Sequence, residues 1–251
     1  MKKRPSFPAQ MEHPGEQIKA ARPGLASYPV SQGVGLDSGA VRMAMVRRLA
    51  GQGISDAAVL AAMGAIERHR FVDSALVNQA YEDTSLPIGL GQTISKPGVV
   101  ARMSELLRQG VAASLGRVLE IGTGCGYQAA VLSLLAREVY SIERLRGLHD
   151  KARDNLRHLR LANLHLLFGD GMFGYAPGAP YAAIIAAAGG EAVPQAWIDQ
   201  LALGGRIVAP VTSGPAAARQ QALLVIDKTE QGLRRTVLEA VHFVPIKSGV
   251  A

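Results

Sequence analysis

Residues 118 to 126, Val118-Leu119-Glu120-Ile121-Gly122-Thr123-Gly124-Cys125-Gly126, read as a strand that runs directly into a glycine-rich turn and then a helix. Glycines at such a turn permit positive φ and let a ligand approach the backbone, at the carboxyl edge of a sheet where open α/β folds bind their ligands. A lone G-x-G-x-G decides little, because many turns need glycine for geometry alone. Two further pieces give it context. Glu143 closes the next strand, 17 positions after Gly126, where a carboxylate can accept hydrogen bonds from two ribose hydroxyls. Gly169-Asp170-Gly171 follows the third strand, placed for Asp170 to recognise an adenine amino group. Three such pieces on consecutive strand ends point to an adenosine-containing ligand.

Downstream, strand and helix alternate. Arg117–Ile121, Glu138–Ile142, Leu164–Leu167, Ala183–Ala187 and Gly205–Val211 read as strands, with helices at Tyr127–Leu135, Leu148–Leu159 and Pro194–Leu201. Ala222–Ile226 and Leu238–Val244 bring the strands to seven, and the missing helix between them suggests an antiparallel edge. The pattern predicts an α/β, doubly wound, mainly parallel sheet covered by helices on both faces.

Upstream, Val41, Met45, Val46 and Leu49 recur at helical spacing up to Gly51-Gln52-Gly53, and a second helix is expected from an N-cap at Ser55 or Asp56 to about Arg68. Tyr81 to Pro97, punctuated by Pro87, Gly89, Gly91 and Pro97, reads as a loop with a short strand pair, followed by a helix at Val99–Arg108. A loop carrying Ser, Thr and Gln between helices is a site candidate. Residues 1 to 38 have scattered Pro and Gly and no sustained period, and are expected to be a flexible basic extension.

Composition narrows the class. The chain has 251 residues and is 48% hydrophobic, enough to bury roughly 70% of its unfolded surface. Cys125 is its one cysteine, so neither an internal disulfide nor a Cys-based zinc site is available, and no metal is expected. No apolar run is long enough to span a bilayer and no signal-peptide stretch follows Met1-Lys2-Lys3-Arg4-Pro5, which predicts a soluble cytoplasmic protein. The formal charge is +7, but residues 1 to 48 hold eight Lys/Arg against three Asp/Glu, so +5 lies there and the remainder is nearly balanced at +2. The charge does not require a nucleic-acid partner.

Two adenosine ligands then have to be separated. NAD sites usually show G-x-G-x-x-G, whereas here the third glycine comes one residue early. Glu120, just before the turn, suits a ligand with an amino group and a sulfonium better than a pyrophosphate, which favours S-adenosylmethionine (product S-adenosylhomocysteine).

The block Arg68-His69-Arg70-Phe71-Val72, Ala80-Tyr81-Glu82-Asp83 and Leu86-Pro87-Ile88-Gly89-Leu90-Gly91-Gln92-Thr93-Ile94-Ser95 resembles the signature of the protein-L-isoaspartate O-methyltransferase family. Val118 to Gln128, Tyr140-Ser141-Ile142-Glu143-Arg144, Gly169-Asp170-Gly171 and the tail Glu239–Pro245 follow with familiar spacing, so the resemblance spans roughly residues 40 to 247. It implies an S-adenosylmethionine-dependent methyltransferase fold with extra N-terminal helices, divided into helices and substrate loop (39–115) and cofactor-binding core (116–251). It further implies a monomer acting on isoaspartyl-containing proteins and peptides. By the resemblance, Ser95 makes the central polar contact with the acceptor, supported by Thr93 and Gln92. Glu120 and the turn Gly122, Thr123, Gly124 and Gly126 hold the methionine part, Glu143 the ribose, and Asp170 with Gly171 the adenine.

The sequence departs from the family pattern at Lys96-Pro97-Gly98, at Ala182, where an aspartate is usual, and at Ala186–Gly190, where a threonine before Ala-Ala is missing. These changes are expected to line or approach the substrate cleft. Two alternatives stay open: a methyltransferase with another acceptor, and a cofactor-binding homologue without catalysis. Against a DNA amino-methylating enzyme, the position after the fourth strand reads Ala187-Ala188-Gly189-Gly190 and not Asn/Asp-Pro-Pro-aromatic. Cys125 and Trp197 are expected to fill space in the core, and His69 and Arg70 to cap or pack a helix end.

Overall fold

A computed structural model describes residues 39–214 and 220–251; the extension expected over residues 1 to 38 lies outside the described residues. The sheet is built on β3 (Leu115–Ile121), β4 (Ala136–Glu143), β5 (Leu164–Phe168) and β6 (Tyr181–Ala186), all parallel. Beyond them lie β7 (Leu201–Ser213), β8 (Gln220–Thr229) and β9 (Gly232–Val241), giving seven strands in the order β5-β4-β3-β6-β7-β8-β9. β7 is parallel to β6, while β8 runs antiparallel to both of its neighbours.

Side chains alternate across this sheet as the pleat requires. Val118, Ala183, Ile185 and Val208 point to one face, where they meet Met103, Leu106 and Leu107 of α3 (Pro97–Arg108). Leu119, Ile121, Ile184 and Ile207 point to the other, against Trp197 and Ile198 of α6 (Gln195–Gln200). Both faces are therefore dry, which is why the central strands read as continuous apolar runs. On the first face α4 (Tyr127–Ser133) packs with α5 (Arg146–Leu156) through Ala130, Val131, Leu148, Ala152 and Leu156.

The same cluster extends to the N-terminal helices α1 (Gly39–Gly51) and α2 (Ala57–Ala65), through Met45, Leu49, Val59 and Met63. Asp56 is the N-cap of α2, accepting from the Ala58 and Val59 N–H groups, and it pairs with Arg108 of α3 at 2.8 Å. The N-terminal helices are thus tied to the core, and one cap does part of the tying. A two-stranded hairpin, β1 (Leu86–Gly89) and β2 (Gln92–Ile94), follows.

Two expectations need correction. The last strand is Gly232–Val241 and not Leu238–Val244, because a turn at Glu230-Gln231 precedes Gly232 at φ +117° and starts the strand early. As the edge strand of the sheet, β9 carries Arg234, Arg235 and Glu239 on exposed positions and shows no apolar alternation to read. Residues beyond it leave the sheet and cross to the carboxyl ends of the parallel strands, stitched there by Gly189 N–H to the Val244 carbonyl and Ile246 N–H to the Gly189 carbonyl. Ala182 does not approach the cleft. It sits near the opposite end of β6, where its methyl would meet a Cβ at Gly116 at 3.1 Å.

Candidate active site

The carboxyl ends of β3, β4, β5 and β6 converge on a cavity of about 230 Å³ whose wall includes Gly122, Glu143, Gly171 and Ala187, one from the end of each strand in turn. The β1–β2 hairpin closes one side with Gln92, Thr93 and Ser95, and the tail closes another with Val244 to Lys247. A second groove, about 710 Å³, shares Thr93, Ser95, Ala187 and Val244 with the first. Ser95 therefore stands where the cavity and the groove meet.

The glycine-rich turn is shaped by its neighbours. Gly122 and Gly124 adopt φ +91° and +57°. Gly124 donates its N–H to Glu143 Oε2 at 2.9 Å, while Leu145 N–H binds Oε1 at 2.9 Å, so the strand-end carboxylate is fixed on the cavity wall with accepting capacity left on each oxygen. Gly126 serves packing instead. It lies off the cavity wall with φ +92° as N-cap of α4, and a Cβ there would sit 2.8 Å from Leu156 Cδ1.

Glu120 also lies behind the wall. It is fully buried and accepts from Ser141 Oγ at 2.5 Å, and Ser141 Oγ is in turn 2.6 Å from Thr123 Oγ1. Desolvation pushes its carboxyl up to about 8, although bonds from Ser141 and Gln128 oppose the shift. The carboxyl on the cavity wall is thus that of Glu143, and Glu120 connects to the wall through Ser141 and Thr123. Gln128, on the cavity wall and almost buried, directs its side-chain amide toward the Glu120 carboxyl.

Asp170 is placed at the right strand end, but its carboxylate is not on the cavity wall. It accepts from Met172 N–H at 2.9 Å and, from the tail, Ser248 Oγ at 2.8 Å and Gly249 N–H at 2.5 Å. These bonds hold its carboxyl below the usual carboxylate range, although partial burial opposes them. Arg144 Nε reaches the Gly249 carbonyl at 2.6 Å and Ala251 pairs its backbone with Arg144 and Arg146, so the tail is laced to the rim. Gly171 is on the wall, held from behind by Trp197 Nε1 donating to its carbonyl at 2.8 Å.

The signature block upstream works as a scaffold for the hairpin. Asp83 accepts the Gly98 N–H at 2.7 Å at the start of α3, and a Cβ at Gly98 would lie 2.9 Å from Asp83 Oδ1, which accounts for the glycine of Lys96-Pro97-Gly98. His69 Nδ1 and Tyr81 Oη are 2.8 Å apart, and Arg70 pairs with Glu67, so both residues serve local packing. Cys125 is buried, and desolvation pushes its thiol up to about 11, which makes it inert. Sequence reasoning gave no site role to Gln128, Arg144 or the tail. The signal for Gln128 was its place at the start of the helix after the turn; for the tail it was the family-like stretch Glu239–Pro245, which reaches the wall at Val244 and Pro245.

Comparison with known proteins agrees with this geometry. The model of a family described as protein-L-isoaspartate(D-aspartate) O-methyltransferase matches residues 40–251. The chain is 63% identical over 219 residues to the protein-L-isoaspartate O-methyltransferase of Methylibium petroleiphilum, covering 86% of this chain and 81% of that one. A solved structure named protein-L-isoaspartate O-methyltransferase superposes with TM-score 0.74 at 29% identity, over 83% of this chain and 67% of that one. A Plasmodium falciparum structure titled for the same activity, in complex with S-adenosyl-L-homocysteine, shares the fold at TM-score 0.68 and 22% identity, over 82% and 98% of the two chains.

Proposed function

The chain belongs to the protein-L-isoaspartate(D-aspartate) O-methyltransferase family, and from that premise we propose that it transfers a methyl group from S-adenosylmethionine to the α-carboxyl of L-isoaspartyl residues in damaged proteins. The observation that carries the reading is the position of Ser95, where a cavity ringed by the ends of four parallel strands meets a second groove of about 710 Å³.

The donor set suits the cofactor. The Gly122–Gly124 backbone admits close approach, and the Glu143 carboxylate suits ribose hydroxyls. Gly171 at the next strand end is assigned to the adenine side, with Asp170 shaping that rim through its bonds to Met172 and the tail. When bound, S-adenosylmethionine supplies an electrophilic methyl on its sulfonium.

The protein's own part is positioning. An isoaspartyl carboxyl, with a pKa near 4, is ionised at neutral pH, so no general base is needed. Ser95 Oγ donates to one carboxylate oxygen and leaves the other to face the methyl, with Thr93 and Gln92 lining the approach. Holding aligned reactants about 3 to 3.5 Å apart contributes ~7 to 11 kcal/mol of barrier reduction. Among the described residues no group of His, Cys, Asp and Glu could hold a metal ion, and none is needed for this chemistry. Also among them, no helix is long and apolar enough to cross a membrane. We further propose a monomeric, cytoplasmic enzyme that needs no nucleic acid.

The test is to incubate an isoaspartyl peptide with the protein and S-adenosylmethionine and then raise the pH. Methanol released from a base-labile ester supports the reading, whereas a base-stable methyl product would assign another acceptor.

A further inference from the structure

Arg68 is the most deeply buried charge outside the wall of the site. Its side chain is fully inaccessible, its Nε donates to the Ala80 carbonyl at 2.7 Å and its Nη2 donates to the Ser95 carbonyl at 2.8 Å. The guanidinium lies over the Tyr127 ring, 4.8 Å from its centroid, and Tyr127 is itself on the cavity wall. The third nitrogen, Nη1, has no partner.

The surroundings of this cation hold it without a direct ion pair. Burial keeps Tyr127 and Cys125 protonated, with the phenol pushed up to about 12 and the thiol to about 11. Asp83, which accepts the Gly98 N–H, acts on Arg68 electrostatically from a distance, but no carboxylate among the described residues forms an ion pair with it. Desolvation pushes Arg68 itself down, yet a guanidinium stays charged in proteins. Leaving such a charge unpaired costs several kcal/mol, which a purely structural role could avoid with an apolar residue of similar volume.

We propose that Arg68 is the positioning residue of methyl transfer: through the Ser95 carbonyl it fixes the segment that carries the acceptor contact, and its buried charge, held without an ion pair, favours an ionised acceptor. This deepens the isoaspartyl reading and rests on it. The fork geometry explains why an arginine stands there. A rigid guanidinium can bind the Ala80 and Ser95 carbonyls together while stacking on Tyr127, which an ammonium cannot do. The anion completes an electrostatic pair whose positive member is already in place and pays no reorganisation when substrate arrives.

The test compares Arg68→Lys and Arg68→Met with the unaltered protein, using an isoaspartyl peptide as substrate. The same peptide with isoasparagine, whose α-carboxamide is uncharged, serves beside a carboxylate analogue as inhibitor. For Arg68→Met, S-adenosylhomocysteine affinity is expected to stay within about twofold while kcat/KM falls on the order of 10²-fold and the preference for carboxylate over carboxamide falls about tenfold. Arg68→Lys keeps the charge and loses the fork, so it should retain the preference and show kcat lowered about tenfold at nearly unchanged KM. Normal kcat in Arg68→Lys, or lost activity with an unchanged preference in a cofactor-binding Arg68→Met, overturns the proposal. If Arg68→Met does not fold, the Arg68→Lys pattern decides alone. Absence of transfer by the unaltered protein would overturn the isoaspartyl reading as well, whereas normal transfer by Arg68→Met would overturn only the role of Arg68.

Discussion

At the scale of single residues, the two sides of the site separate by experiment. Ser95→Ala is expected to lower kcat about 10- to 100-fold with cofactor affinity unchanged, since one positioning bond to the acceptor is lost. Glu143→Ala is expected to weaken S-adenosylhomocysteine binding about tenfold by calorimetry, since its fixed carboxylate lies on the cavity wall. A Ser95→Ala enzyme with full turnover, or a Glu143→Ala protein with full affinity, removes that residue from its assigned role. Glu120 gives a prediction of another kind. Its carboxyl is pushed from 4.5 up to about 8, so between those values the folded chain holds a proton that the unfolded chain has released. The stability it lends is full below about pH 4.5 and is lost as the pH rises through about 8. Glu120→Gln cannot titrate, and it should lose less stability than the unaltered protein in urea denaturation at about pH 8 compared with about pH 5. Identical losses would mean that the carboxyl is ionised in the fold.

At the scale of elements, Gly126 joins turn to helix in a way the sequence pattern only half discloses. The glycine-rich turn was legible, and with it the strand, the helix and the side of the sheet on which a ligand sits. The purpose of each glycine was not, because φ +92° and the 2.8 Å approach of Leu156 come from a helix 30 residues away in sequence. Gly126→Ala is expected to cost about 2 to 4 kcal/mol through left-handed strain and overpacking. A loss under about 0.5 kcal/mol in urea denaturation would show that α5 yields at this contact. The same limit explains Glu120 and Asp170. Both were found by their place on strand ends, but whether a carboxylate faces ligand, a buried serine or a returning tail depends on contacts between distant segments. The parallel strands were readable because burial on both faces makes them apolar throughout. β9 was misplaced because an edge strand carries charge and has no such signature.

At the scale of the whole molecule, the architecture divides the work. The parallel half of the sheet presents four strand ends to one cavity, the N-terminal block holds the Thr93–Ser95 segment over it, and the tail beyond β9 returns to the opposite rim. The functional reading therefore concerns the junction between these parts, and its most direct test is substrate discrimination. Two peptides identical except for isoaspartate or aspartate at one position are offered with labelled S-adenosylmethionine. Label should appear as a base-labile methyl ester on the isoaspartyl peptide and stay near background on its aspartyl twin. Equal labelling of both, or cofactor binding with transfer to neither, would contradict the account.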